Sequence, residues 1–144
     1  MKIGIGGDHA GFQYKEQIKK QLQKEGHLVE DFGPNSEESC DYPDIAHPLA
    51  DSIENGKNEL GIAICGSGNG INMSLNKHQN IRAALCWNEE LASLARQHNN
   101  ANVLSLPARF IEIDLAKKCV EIFLNTQFEG GRHERRVNKI KIEK

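Results

Sequence analysis

Short apolar segments alternate with stretches of helical periodicity along the whole chain. This alternation is typical of α/β proteins, in which helices cover a mostly parallel sheet. The continuous apolar run Leu60–Cys65 has the character of a central strand buried on both faces. The apolar runs together predict five strands, Ile3–Ile5, His27–Phe32, Leu60–Cys65, Ala83–Cys86 and Val103–Leu106.

Helical spacing of apolar residues fills the segments between these strands. The first predicted helix carries Tyr14, Ile18 and Leu22 and is capped near Gly26. Further helices are predicted through Ile45–Ile53, from Ile71 onward, through Leu91–His98 and through Ile111–Ile122. Because parallel strands need right-handed crossovers, we expect a doubly wound, Rossmann-like sheet of five parallel strands with flanking helices.

The length of 144 residues predicts a single domain, residues 1–144. No apolar run approaches the roughly 18 residues of a membrane span, and an acid at Asp8 comes too early for a signal peptide, so we expect a cytoplasmic protein. The formal net charge of −2 gives no overall attraction to nucleic acid or to an anionic membrane.

Cysteine and histidine spacing offers no conventional metal or disulfide framework. The four cysteines lie far apart and form no C-x-x-C pair, so free thiols are expected at Cys40, Cys65, Cys86 and Cys119. Histidines and carboxylates do not recur at metal-ligand spacing, which predicts no metal site and no cofactor. His27, His47 and His78 have no partner in sequence and are expected at the surface.

Two glycine-rich segments lie where a doubly wound sheet binds ligands, beyond the carboxyl ends of its strands. Gly6–Gly11 places Asp8 and His9 directly after the first strand, and Cys65–Gly70 places a thiol before a glycine-rich turn. Backbone N–H groups in such a turn bind a phosphate or a developing oxyanion.

Neither segment matches a common phosphate-binding motif. The dinucleotide pattern G-x-G-x-x-G would need glycine at His9 or Ile71, and no Gly-Lys-Ser/Thr of a Walker loop follows. A cysteine phosphatase would need arginine at Ile71. These classes are excluded.

Several candidate residues keep an ordinary structural explanation beside the functional one. Cys65 precedes a helix N-terminus that favours the thiolate, with Ser67 positioned to donate a hydrogen bond, but it also fits a small buried apolar residue. His9 also fits a loop histidine and His98 a helix C-cap. Arg132 and Arg136 share a helix face that suits either phosphate binding or solvent. The residues alone indicate an α/β enzyme acting on a small phosphorylated molecule.

Five segments, taken in order, resemble the ribose-5-phosphate isomerases of the B type, a family that includes galactose-6-phosphate isomerase subunits. They are Gly6–Gly11, Asp41–Pro43, Cys65–Gly70, Arg96–Asn99 and Glu129–His133. The resemblance spans essentially the whole chain. It implies interconversion of ribose 5-phosphate and ribulose 5-phosphate through a cis-enediolate, in the non-oxidative pentose phosphate pathway.

The resemblance also implies a role for each matching residue. Cys65 would be the base and Ser67 its neighbour, while His98 would open the furanose ring. Asp8 and Asn99 would hold sugar oxygens. The enediolate oxygen would be held by the turn Gly66, Gly68, Asn69 and Gly70, and the remaining substrate and phosphate contacts would be His9, Arg109, Arg132 and Arg136.

The family further implies a homodimer, possibly a tetramer, in which the C-terminal segment 130–144 reaches the partner subunit. Two alternatives stay open at this point. One is a hexose-6-phosphate isomerase of the same family, acting on galactose or allose 6-phosphate. The other is a non-catalytic sugar-phosphate-binding module, which would have no need of Cys65.

Overall fold

A computed structural model describes residues 1–143 and contains one five-stranded sheet in which all neighbouring strands are parallel. The strands lie side by side in the order β2-β1-β3-β5-β4. Their bounds are β1 Lys2–Gly7, β2 Leu28–Asp31, β3 Leu60–Cys65, β4 Ala83–Leu85 and β5 Val103–Pro107. The predicted α/β class and parallel five-stranded sheet are confirmed.

Helices follow the strands as the periodicity predicts. They are α1 Phe12–Lys24, α2 Tyr42–Glu54, α3 Asn69–Leu75, α4 Glu89–Gln97, α5 Ile113–Asn125 and α6 Arg132–Asn138. A short 3-10 helix, His9–Gly11, precedes α1. Helix α3 begins at Asn69, two residues before the predicted start at Ile71, because Gly68 adopts a left-handed conformation with φ 78° and turns the chain into the helix.

The two faces of the sheet carry separate cores. Helices α1, α4 and α5 cover the face onto which Ile3, Ile5, Ile62 and Ile64 point, and α2 and α3 cover the face that includes Ala63 and Cys65. Glycine at position 4 allows α2 to pack closely, because a Cβ there would lie 2.5 Å from Leu49 Cδ1.

Strands β1 and β3 are neighbours, and the crossovers that follow β1 and β2 pass over opposite faces of the sheet. This is the topological switch point at which doubly wound sheets bind ligands. The carboxyl ends of β1 and β3 meet here, and Cys65 is in register with Pro107 at the end of β5. The fold thus places both glycine-rich segments at one edge of the sheet.

A buried lysine anchors α1 to β2. The Lys15 side chain is 0% exposed, and its Nζ lies 2.7 Å from Asp31 Oδ2, which Lys19 also approaches at 2.8 Å. Burial raises the pKa of Asp31, but hydrogen bonds from Lys15, Lys19 and the Gly33 amide outweigh this effect and lower it overall.

Within residues 1–143, no helix has both the length and the apolar character that crossing a bilayer requires.

Loss of the Lys15–Asp31 ion pair should lower the free energy of unfolding strongly. Asp31→Asn leaves the Lys15 ammonium buried without its nearest counterion, and breaking a buried pair in this way typically costs about 3–5 kcal/mol. We expect about 3 kcal/mol, since Glu16 still lies 3.5 Å from Lys15 Nζ. Urea unfolding at neutral pH measures the difference.

The matched control is Glu30→Gln on the same strand. Its partner Lys57 is 63% exposed, so the loss should stay below about 1 kcal/mol. The pKa of Asp31 is lowered on folding, so its stabilising effect is present above the usual carboxyl range and is lost as the pH falls through the lowered pKa. The difference between wild type and Asp31→Asn should therefore shrink in acid. Equal losses from the two variants would contradict the pairing argument.

Candidate active site

Asp8 is fixed at the carboxyl end of β1 by contacts with β3. Its amide donates to the Ile64 carbonyl at 3.1 Å, and its Oδ1 accepts from the Gly11 amide at 3.0 Å. A Cβ on Gly7 or Gly11 would lie 2.4 or 2.2 Å from the Ile64 oxygen. Only glycine permits this approach, which holds a buried carboxylate near the end of β3.

Cys65 ends β3 and faces the amides of the following turn. Its Sγ accepts from the Gly68 amide at 3.2 Å, and the residue is only 4% exposed. Burial raises the pKa of the Cys65 thiol, the amides of Ile71, Gly68 and Ser67 lower it, and the charge of Asp8 raises it further.

The net result is a pKa above the ordinary thiol value. The amide donors act in the predicted direction, but burial and Asp8 outweigh them.

Ser67 does not contact the thiol through its hydroxyl. The side chain is exposed, and its Oγ accepts from the Asn69 amide at 3.2 Å. No hydrogen bond joins Ser67 Oγ to Cys65 Sγ in the described part of the chain. Ser67 acts on the thiol through its backbone amide, which lowers the pKa of Cys65.

The glycines of the turn are required by close neighbours. Gly68 has φ 78°, and a Cβ there would lie 2.4 Å from Leu85 Cδ1. A Cβ on Gly70 would lie 2.4 Å from Cζ of Tyr42, whose ring covers this part of the turn. Tyr42 is a candidate site residue that our sequence analysis did not name, although the Asp41–Pro43 motif was a signal for it.

Arg109 and His9 border the same crevice. The Arg109 amide donates to the Gly66 carbonyl at 3.0 Å, and its exposed guanidinium passes over Gly66. His9 Nδ1 accepts from the Cys40 amide at 3.3 Å, so the ring is held by the loop after β2. A cationic side chain and an imidazole therefore lie at the edge that also holds Asp8 and Cys65.

His98 belongs to a second group of residues. Its ring stacks on His133 with centroids 4.2 Å apart and an interplanar angle of 11°. Glu129 Oε1 lies 3.7 Å from His133 Nε2 and 4.0 Å from His98 Nε2. Burial, followed by the charges of His98 and Arg132, lowers the pKa of His133. This group attaches the start of α6 to the end of α4.

Two arginines hold the loop that presents His98 and Asn99. Asn100 has φ 45°, and its carbonyl accepts from Arg82 Nε at 2.9 Å. Its side-chain oxygen accepts from Arg96 Nη1 at 3.1 Å. The Arg96 contact is local, since Asn100 is only four residues further along the chain, whereas the Arg82 contact joins separate segments and is not revealed by spacing.

The two groups lie at opposite ends of the sheet. His98 and Asn99 end α4 and lead into Val103, the first residue of β5, whereas Cys65 is in register with Pro107, the last. At about 3.3 Å per residue, Val103 and Pro107 are separated by roughly 13 Å. The structure thus assembles one set at the carboxyl edge, namely Asp8, His9, Cys65, Gly66, Ser67, Gly68, Asn69, Gly70 and Arg109. The other set, His98, Asn99, Arg132 and Arg136, lies with the end of α4 and α6.

Within residues 1–143, two clusters have the composition of a metal site that spacing along the sequence does not reveal. One is His98, Glu129 and His133, and the other is Asp51, Glu54 and His78. In each cluster, ligand atoms lie within 4.8 Å of one another. Spacing missed them because each combines residues from separate elements.

Comparison with known proteins shows the family of this chain. The model of a family described as Ribose/Galactose Isomerase matches residues 3–140. The chain belongs to the ribose/galactose isomerase family. Ribose-5-phosphate isomerase B of Escherichia coli is 43% identical over 139 residues, covering 96% of this chain and 93% of the relative.

Solved members of the ribose/galactose isomerase family share the fold closely. A ribose 5-phosphate isomerase from Thermotoga maritima has 50% identity and a TM-score of 0.95, covering 97% of each chain. Ribose-5-phosphate isomerase B from Mycoplasma genitalium, solved with bound ribulose-5-phosphate, has 45% identity and a TM-score of 0.92. That similarity covers 96% of this chain and 93% of the relative.

Alanine substitution should lower the free energy of unfolding more at Gly68 than at Gly56, although both glycines have a left-handed conformation. Gly68 and Gly56 have φ values of 78° and 80°, but only at Gly68 would a Cβ meet other atoms. Gly56→Ala should cost about 1–2 kcal/mol of backbone strain. Gly68→Ala should add about 1–3 kcal/mol of overpacking and disturb the Cys65–Gly68 hydrogen bond. Urea unfolding of both variants measures the contrast, and equal destabilisation would contradict it.

Proposed function

We infer that this protein interconverts ribose 5-phosphate and ribulose 5-phosphate. The observation that carries the proposal is the Cys65 thiol at the switch point, facing the amides of a glycine-rich turn. Nearly full-length similarity to proteins named ribose-5-phosphate isomerase B supports the substrate, as does a similar structure that holds ribulose-5-phosphate.

The thiolate form of Cys65 removes the proton from C2 of the open-chain aldose. The electron pair of the C–H bond moves to form the C1–C2 double bond, and the carbonyl oxygen at C1 gains negative charge. The resulting cis-enediolate takes the same proton at C1 from Cys65, while the proton of the C2 hydroxyl passes to the C1 oxygen, which leaves a hydroxyl on C1 and the ketose carbonyl at C2. The raised pKa makes the Cys65 thiolate a stronger base, although it lowers the fraction of thiolate at neutral pH.

Backbone amides supply the oxyanion stabilisation that this reaction needs. The turn Gly66–Gly70 presents N–H groups near Cys65, so the developing enediolate oxygen meets donors that are already oriented. Asp8 lies at the same edge and accepts hydrogen bonds from sugar hydroxyls. His9 and the exposed Arg109 guanidinium approach the substrate from the rim of the crevice.

The complete site includes a second copy of the chain. His98 opens the furanose ring, and Asn99, Arg132 and Arg136 bind sugar oxygens and phosphate, yet all four lie away from Cys65 of their own chain. Large apolar side chains are exposed after β4 and β5, Trp87 at 53% and Phe110 at 74%. A homodimer that covers these side chains brings the second group onto the partner's crevice, with the segment 130–144 crossing the interface.

The two alternative functions, a binding module and a hexose-phosphate isomerase, have less support from the site and the relatives. A protein that only binds a sugar phosphate does not require a thiol that faces the amides of a turn. A hexose-phosphate isomerase uses the same chemistry, but the relatives described above carry the name of the five-carbon reaction. A coupled assay that offers five- and six-carbon sugar phosphates side by side measures the preference.

The shared site predicts complementation between two inactive variants. Cys65→Ala removes the base and should lower kcat by at least about a hundredfold. His98→Ala should also be nearly inactive with ribose 5-phosphate. After subunit exchange, about half of the dimers are mixed, and each mixed dimer carries one intact site, so about a quarter of wild-type activity should return.

The control is each variant incubated alone under the same conditions, with folding checked by circular dichroism. If Cys65 and His98 of one chain served the same site, no mixed dimer would hold an intact site. Absence of any recovery from folded, exchanging variants would therefore contradict the arrangement.

The mechanism also predicts exchange with solvent. A proton held on Cys65 exchanges with water in a fraction of turnovers, whereas a hydride shift retains the substrate's hydrogen. Reaction in heavy water with a chelator present should place deuterium at C1 of ribulose 5-phosphate, as NMR detects. Loss of activity on chelation together with no deuterium at C1 would overturn the proton-transfer route.

A further inference from the structure

A cluster of histidine and acidic side chains joins the carboxyl-terminal half of α2 to the loop between α3 and β4. Asp51 and Glu54 come from α2, and His78 comes from the loop. His47, one turn before Asp51 on α2, contacts the other side of the His78 ring. We propose that Asp51, Glu54 and His78 bind a divalent transition metal of the zinc type, with His47 as the hydrogen-bond partner of the histidine ligand.

Two of the three ligand-atom separations are close to those of a tetrahedral zinc site, and all three atoms lie within 4.8 Å of one another. His78 Nδ1 lies 3.3 Å from Glu54 Oε1 and 3.6 Å from Asp51 Oδ1. Ligands about 2.0–2.1 Å from a tetrahedral ion are about 3.3–3.4 Å apart. The three atoms therefore need little movement to surround one ion, and the fourth position is left to water.

Hydrogen bonds to the atoms of His78 and Glu54 that do not face the ion fix the orientation of these two ligands. His78 Nε2 lies 2.7 Å from His47 Nδ1. With a metal on Nδ1, the remaining ring proton of His78 would sit on Nε2 and be donated to His47. Metal-bound histidines commonly donate their second ring N–H in this way. Glu54 Oε2 accepts from the Asn80 amide at 3.0 Å, which leaves Oε1 facing His78.

Burial and charge fit a site that excludes part of its solvent. The His78 and Glu54 side chains are 18% and 24% exposed and Asp51 is 68% exposed, so the cluster lies at the surface with its nitrogen ligand the most buried. Two carboxylates and one imidazole balance the charge of a divalent cation, and this mixture of nitrogen and oxygen donors suits zinc better than calcium or magnesium.

The site is separate from the crevice that contains Cys65. Asp51 and Glu54 lie near the end of α2, which leads into the amino end of β3, whereas Cys65 ends that strand. They also lie on the α2–α3 face, opposite the α4–α5 face that carries the end of α4. A metal here links α2 to the α3–β4 loop, and its role is structural or regulatory.

The test is isothermal titration of the purified, chelator-stripped chain with zinc chloride. We expect one zinc equivalent that is lost or weakened at least about tenfold in His78→Gln and in Glu54→Gln, and about 10–100-fold in His47→Ala. Zinc should raise the melting temperature of the wild type and not that of His78→Gln, because binding to the native state alone stabilises it. Glu54→Gln preserves the acceptor for the Asn80 amide, so its fold is expected to be retained.

Two controls separate this site from other zinc-binding groups. Glu59→Gln removes an exposed carboxylate near α2 and should leave binding unchanged. Glu129→Gln disrupts the His98, Glu129 and His133 cluster and should not remove the equivalent that His78→Gln removes. Absence of zinc binding, or binding that survives in both ligand variants and disappears in Glu129→Gln, would overturn the proposal. None of these measurements uses substrate, so the result is independent of the isomerase activity.

Discussion

The close approach of the β1 loop to the backbone of β3 is the constraint on which the crevice depends. Gly7 and Gly11 pack so tightly against the Ile64 carbonyl that no side chain fits between them. The same contact directs the Asp8 amide to the Ile64 oxygen and leaves the carboxylate beside the residue that follows, Cys65. The acid and the thiol are therefore placed by backbone packing rather than by a bond between their side chains.

The placement of Asp8 contributes to a raised pKa of the Cys65 thiol in the isolated chain. Burial raises the pKa of the Cys65 thiol, the nearby Asp8 carboxylate raises it further, and the three amides that lower it do not compensate. Arg132 and Arg136 carry positive charge, but they lie with the group at the end of α4. In the dimer that we propose, the partner's segment 130–144 brings guanidinium groups toward the thiol, which favours the thiolate. Assembly and activation of the base are then the same event.

Periodicity predicted the sheet well because local patterns determine it. The strand Leu60–Cys65 and the helices through Ile18 and Leu49 follow from runs of apolar residues whose period matches their element. Spacing could not predict contacts between distant elements. Three such contacts depend on how the crossovers bring separate segments together. They are the Tyr42 ring over Gly70, the Lys15–Asp31 ion pair and the two clusters with the composition of a metal site. The net direction of the Cys65 pKa could not be predicted from the sequence for the same reason, since burial and Asp8 act through the folded structure.

Dividing the candidate site between two ends of one sheet has a physical rationale. The carboxyl edge holds rigid groups, because β1, β3 and the glycine turn are fixed by backbone contacts. The other group is attached through the stacked His98 and His133 rings and through α6, a helix without fully buried residues. In the mechanism that we propose, the rigid half performs the proton transfer and the less constrained half binds the phosphate, which suits a substrate that must enter, open its ring and leave. In that arrangement, a displacement of α6 would change phosphate binding without disturbing the backbone contacts around Cys65.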